Sequence, residues 1–313
     1  MKKILGLLLL SIFVASSAQA YPSLSQDYEN ELFYYNYETV YRDTDGDGVY
    51  ETELQYESDG LSSNPFIQAG DVFVGIASVQ NINVLSISPI WSMDIGNDEL
   101  TGVFAQKITS IDPLTSGFRV NLGAVDTGST FIIDGSPYDL GLDFAAGEVI
   151  KFYTDDGESP FKVGDIAGTW TITDALDSAT DGDFFFSVGM EDADDYAYTD
   201  VAVSQGAPLD AAFQAETYMG LSMINSVFTL QSDDAVNDPG EDIKNADVDF
   251  WANSEIKMNP GFMDTANNIS PFPFFSNDPA VIGAVGVVPE PGTFILFGTA
   301  LLGFSAVMRR KSL

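Results

Sequence analysis

The run Asp43-Thr44-Asp45-Gly46-Asp47-Gly48 sets three carboxylates at alternate positions, with glycine where a tight bend is needed. Oxygen ligands at the first, third and fifth places of a loop and glycine at the sixth form the first half of a calcium loop. A hard cation gathers roughly six to eight oxygens, and only a sharply bent chain can present them. Val49 would add its backbone carbonyl at the seventh place, followed by Glu51 at the ninth and Glu53 at the eleventh. The twelfth residue, where a full loop supplies a bidentate Glu, is Leu54. A shifted or shortened loop would draw on Glu51 or Glu53 instead, so the expected cofactor is weakly held Ca2+. The alternative is a solvated acidic turn between Phe33-Tyr34-Tyr35-Asn36-Tyr37 and Leu54-Gln55-Tyr56.

Other candidate chemistry is less specific. Asp177 to Asp183 and Glu191 to Asp195 are rich in ligand oxygens without a fixed spacing. Trp91, Trp170, Trp251 and the tyrosines between Tyr34 and Tyr41 could stack on the apolar face of a sugar, although such residues more often fill a core. Thr169, Thr171 and Thr173 form one short row, too little for the flat repeated array of an ice-binding surface. The chain has neither Cys nor His. That removes Ser-His-Asp and Cys-His nucleophiles and thiolate or imidazole zinc sites. A glycosidase needs only two carboxylates, but no such pair can be located from spacing, and no enzyme is expected. With 47 acidic against 12 basic residues the net charge is −35, which repels nucleic acid and attracts divalent cations.

The elements that must position these residues read as strands. Period-two runs occupy residues 72–84, 103–108, 118–122, 130–133, 149–153, 184–188, 227–230 and 248–250, separated by Gly, Pro, Asn and Asp. Thr169-Trp170-Thr171-Ile172-Thr173 reads as another strand, with Trp170 and Ile172 inward. Residues 209–216 carry a short helical pattern. The expected fold is mostly β, an antiparallel β-sandwich or jelly roll. Pro271-Phe272-Pro273-Phe274-Phe275 cannot be a regular central strand and is expected to pack across the sheets as an irregular cover.

The two ends differ in kind from this body. Lys2 and Lys3, an apolar stretch to Val14 and Ala18-Gln19-Ala20 follow the order of a cleavable signal peptide, residues 1–20. Residues 21–276 form the β-rich body, of which 21–63 is the acidic part with the calcium-like loop, and 277–287 is a linker. Residues 288–313 hold Pro289-Glu290-Pro291, an uncharged apolar segment at 294–308 and the basic cluster Arg309, Arg310 and Lys311. The apolar segment is expected to span a membrane as a single helix, with the basic cluster on the cytoplasmic side.

This tripeptide, apolar segment and basic cluster resemble the PEP-CTERM sorting signal of Gram-negative bacteria, a tail also labelled an ice-binding protein C-terminal domain. The resemblance implies export by the secretion translocon, transient insertion in the inner membrane, and processing by an exosortase toward the cell surface or an exopolysaccharide matrix. Partners there would be exopolysaccharide or other surface proteins. The acidic loop in turn resembles the EF-hand and extracellular Asp-rich loops. The body is similar to uncharacterised proteins carrying the same tail, which implies no activity.

Overall fold

Strands of two kinds are written into the sequence, and a computed structural model shows what each does. It describes residues 30–54, 67–84, 89–93, 99–138, 144–155, 171–191, 195–201, 214–226, 250–258, 271–276 and 279–282. In β7 (Phe118–Ala124) and β12 (Tyr196–Val201) buried and half-buried residues alternate, as in a strand with one wet face. By contrast β4 (Val72–Val84) and β6 (Glu99–Pro113) each open with eight consecutive buried residues. Both of their faces are covered.

One face of β4 and β6 looks into a barrel. On one side β6 pairs with β4; on the other, its first part pairs with β10 (Glu148–Asp155) and its later part with β7. β13 (Gln214–Ser226) has β14 (Phe250–Met258) on one side, and β12 followed by β11 (Asp183–Gly189) on the other. β10 pairs with β11, and β7 with β12. β1 (Asn30–Arg42) pairs with β4, and it meets β14 through the short strands β15 (Phe274–Ser276) and β16 (Pro279–Ile282). Traced strand by strand, the pairing returns to its start, and every pairing in the ring is antiparallel. The expected antiparallel, mostly β class therefore holds, but the sandwich or jelly roll is replaced by a closed barrel. Alternation along a strand is the same in both, and only the partners of β6 and β13 distinguish them.

The other face of β1, β4, β6 and β10 lies under a cover. It consists of β2 (Val49–Tyr50), β8 (Thr130–Ile133) and β9 (Ser136–Tyr138), together with helix α1 (Ile172–Ser178). Val72, Val74, Ile76, Val103 and Ala105 from the barrel meet Tyr50, Phe131, Ile133, Ile172 and Leu176 from the cover. Phe131 is the hinge of this second core, stacked on Tyr50 at 4.9 Å and edge-on to Tyr41 at 6.0 Å. Two smaller strands flank β1 and β4: β3 (Thr52–Glu53) pairs with the former and β5 (Pro89–Ser92) with the latter.

Several expectations change here. Residues 171–173 are not a strand: Thr171 caps α1, its hydroxyl accepting from the Asp174 N–H while the Asp174 carboxylate accepts from the Thr171 N–H. A capping box followed by apolar residues at helical spacing, Ile172, Ala175 and Leu176, outweighs alternation over so few residues. Thr169 and Trp170 lie outside the described residues. The helical pattern expected at 209–216 gives way to strand from Gln214 on, because β13 is paired on both sides. The linker expected at 277–287 begins too early, since Pro279–Ile282 is a strand with Ala280 and Ile282 fully buried. Phe272 is irregular and buried as expected, but Phe274–Ser276 forms a short strand between β1 and β14. Residues 227–230 and 248–249 lie outside the described residues, as do 1–29 and 283–313.

One ion pair ties the end of β1 to the residue just before β4. Arg42 donates from Nε and Nη2 to the two carboxylate oxygens of Asp71, each at 2.7 Å, and Asp71 is fully buried. The Gln68 N–H adds a third donor at 2.8 Å. Removing the guanidinium leaves a buried carboxylate without its counter-charge. Arg42→Ala is therefore expected to cost about 3–5 kcal/mol in urea denaturation, and combining Arg42→Met with Asp71→Leu should recover most of that loss.

Candidate functional site

The acidic loop leaves the barrel at the end of β1 and enters the cover at β2. Gly46 and Gly48 have φ of 81° and 89°, which lets the chain fold back on itself. Asp43 sits at the centre of the bend. Its Oδ1 accepts from the N–H groups of Asp45 and Gly46 at 3.2 and 2.6 Å, and its Oδ2 accepts from Gly48 at 2.9 Å. Asp45 and Asp47 each accept from the N–H two residues on. These bonds bring oxygens of Asp43, Asp45 and Asp47 within 4.8 Å of one another. The Gly48 N–H, aided by those of Gly46 and Asp45, holds the Asp43 carboxyl below its ordinary range, so it is an anion ready to act as a ligand.

The remaining expected ligands divide. Glu51 accepts from the N–H and hydroxyl of Thr44, which lowers its own pKa and anchors it across the loop. Glu53 turns away to accept from the Thr39 hydroxyl at 2.8 Å, and its burial raises its pKa. Glu53 is thus removed from the expected set, because its strand β3 pairs with β1 and directs it to the barrel. Val49 begins β2, its N–H donating to Asp47 at 2.8 Å. Asp43, Asp45 and Asp47 remain as the grouped carboxylates that could hold a calcium ion, with the rest of its shell left to water.

A second acidic cluster was only partly legible. Carboxylate oxygens of Glu99, Asp155 and Asp181 lie within 4.8 Å of one another. Asp181 belongs to the acidic run at 177–183, whereas its two companions arrive by pairing, Glu99 opposite Asp155 across β6 and β10. Burial, and Asp155 beside it, raise the Asp181 pKa. Asp177 instead accepts from the Tyr138 hydroxyl at 2.7 Å, and Asp195 accepts from Glu191 N–H and the Ser222 hydroxyl. These two are structural.

The aromatic platforms are relocated. Trp91 and Trp251 are buried, as are Tyr34, Tyr37 and Tyr41. A half-exposed row appears elsewhere, on the uncovered outer face of β12 and β13. Tyr198 stacks on Tyr218 at 5.1 Å, and the Arg119 guanidinium lies 3.8 Å from the Tyr198 ring centre while bound to Asp200. The Tyr198 ring is thereby held beside two protein partners, Tyr218 and Arg119.

The barrel lumen contains the least expected group. Glu38, in the middle of β1, faces Gly75 across the strand pair. A Cβ at Gly75 would lie 2.4 Å from the Phe104 ring, so only glycine lets that ring cross the lumen here. Around Glu38 lie Asn36, Gln106, Thr199, Thr217, Ser254 and Ser276 among apolar side chains, bounding a cavity of about 20 Å³. Burial pushes the Glu38 carboxyl up to about 8. The residue pattern did not single out Glu38, because only ring closure makes this face of β1 an interior.

Pro289, Glu290, Pro291, Arg309, Arg310 and Lys311 lie outside the described residues, as does the apolar segment 294–308. Among the described residues no helix is long and apolar enough to cross a membrane. Residues 287–311 match the PEP-CTERM protein-sorting motif. The chain therefore carries the sorting signal of exported proteins, a motif that implies passage through the membrane toward the cell surface and processing by an exosortase. No curated protein and no solved structure matches the chain.

Glu38 gives the barrel a pH dependence whose sign is fixed. Below about 4.5 the carboxyl is protonated folded or unfolded, and its contribution is whole. Between there and about 8 the unfolded chain releases a proton that the barrel retains, so stability falls by about 1.4 kcal/mol per pH unit. Denaturation at intervals from pH 5 to pH 8 should show Glu38→Gln losing less stability than the parent and exceeding it at pH 8. Parallel curves for the two proteins would mean that the carboxyl ionises in its ordinary range.

Proposed function

We propose that this protein is a structural or adhesive component of the cell surface or exopolysaccharide matrix of a Gram-negative bacterium. The secretion translocon and an exosortase deliver it, and Asp43, Asp45 and Asp47, with the Val49 carbonyl, bind calcium weakly. The match of residues 287–311 to the sorting motif carries the first part of this reading. A barrel without open edges suits a protein that works outside the cell, because unpaired strand edges recruit other chains. The acidic loop supports the second part, since oxygens of its three carboxylates lie within 4.8 Å of one another. Of the anchors expected for polysaccharide binding, Trp91 and Trp251 are buried in the core, while Trp170 lies outside the described residues.

Delivery is tested by mass. Protein recovered from the native surface should begin at Tyr21 and lack everything beyond the 289–291 tripeptide. Retention of residues 294–308 in the surface form would make the tail a permanent anchor and sink the sorting reading.

Calcium is tested by melting the full-length protein. At a dissociation constant of about 10⁻⁴ to 10⁻³ M, 5 mM calcium should add about 1–2 kcal/mol, beyond the effect of sodium chloride at equal ionic strength. Magnesium should give less, because it demands a tighter octahedral shell. The double substitution Asp43→Asn with Asp45→Asn should abolish the calcium-specific part and keep the general salt effect. Equal responses to calcium, magnesium and sodium would reduce the loop to an acidic turn.

A further inference from the structure

The lumen has chemistry that neither the sorting tail nor the acidic loop uses. Three of its polar atoms have no protein partner and no exposure: Glu38 Oε1, Asn36 Oδ1 and Ser276 Oγ. They are neighbours by register, Asn36 lying opposite Ser276 and two residues along β1 from Glu38. The hydroxyls of Thr199 and Thr217 bond to each other at 2.9 Å, and the Gln106 amide donates to the Met219 sulfur at 3.1 Å. An unpartnered buried polar atom costs free energy, and three side by side define a place for something that donates hydrogen bonds.

We propose that the barrel lumen is a binding site for a small ammonium group, either the free ion or the head of a methylamine-sized primary amine, anchored on Glu38 and held by Asn36 and Ser276. The carboxylate and amide oxygens accept and the Ser276 hydroxyl can accept as well, so an N–H donor such as an ammonium head suits the group. Charge selects a cation, because Glu38 is the sole ionisable side chain lining the cavity and, among the described residues, no basic group lines it. Size limits the guest, since about 20 Å³ admits one or two non-hydrogen atoms. A bare metal ion fits less well, as three oxygens and apolar walls fall short of the shell that it needs. The raised pKa of Glu38 agrees with this arrangement, because burial there is uncompensated until a cation enters.

The test is thermal melting of the full chain at pH 8.5 in ammonium or methylammonium chloride, with sodium, potassium and tetramethylammonium chlorides at the same ionic strength. Ammonium should raise the melting temperature by about 3 °C at 100 mM relative to sodium, and the difference should shrink at pH 6, where Glu38 holds its proton. A response to ammonium alone assigns the free ion; an equal or larger response to methylammonium assigns an amine head. Glu38→Gln, which keeps the shape and removes the charge, should fold with an unchanged circular dichroism spectrum and lose the difference. Ser276→Ala should reduce it. Equal melting in ammonium, sodium and tetramethylammonium would overturn the proposal and leave the lumen to water. So would an ammonium effect that survives Glu38→Gln.

Discussion

Two long strands that outlast their partners hold this protein together. β6 and β13 each carry two shorter strands end to end along one side, β10 and β7 on the first, β12 and β11 on the second. An open sheet leaves a row of unsatisfied N–H and C=O groups at each margin; here β6 and β13 carry the pairing around until the margins meet. Everything else follows from that closure. It makes an interior out of the inward faces, it leaves half of the outside to be roofed by β2, β8, β9 and α1, and it places Glu38 where water has little access.

The two cores divide the work of stabilisation. Inside the barrel, Phe152 stacks on Phe186 at 4.5 Å and Phe185 crosses Phe186 at 5.4 Å, so aromatic packing fills one part of the lumen while small polar residues line another. Outside, Tyr41, Tyr50 and Phe131 join the acidic loop to the barrel wall. The loop is therefore mounted on a rigid base although its own residues are exposed. That combination allows a cation to bind without reorganising the fold around it.

Much of this was legible in the residues. The strand expected at 72–84 coincides with β4, and that at 130–133 with β8. Oxygens of the three aspartates spaced two apart lie within 4.8 Å of one another. The failures share a cause, which is that the sequence records the period of a segment but not its partners. Thr171 and Ile172 fit a strand until the Asp174 carboxylate is seen to close a capping box. Glu53 fitted a ligand role until pairing of β3 with β1 turned it toward Thr39. Residues 279–282 looked like linker because four residues hold too little pattern, yet they complete the wall. Asp134-Gly135 is a hairpin signal of the kind that alternation alone overlooks, with both residues at positive φ between β8 and β9. Asp134 then accepts from the Thr173 N–H and hydroxyl, fastening that hairpin to α1.

The seam of the barrel joins the earliest described strand to the last two. Asn30 to Phe33 pair with Pro279 to Ile282, and Asn36 to Glu38 pair with Phe274 to Ser276, across almost the whole length of the body. A chain that emerges N-terminus first must hold β1 with one flank bare until nearly all of the rest has followed. Contacts so distant in sequence are slow to form, since a long loop must close before they contribute. Closure is thus late, and a chain cut short before residue 271 would lack the strands that join β1 to β14. In this topology the last described residues of the body are the ones that close the wall begun by the first.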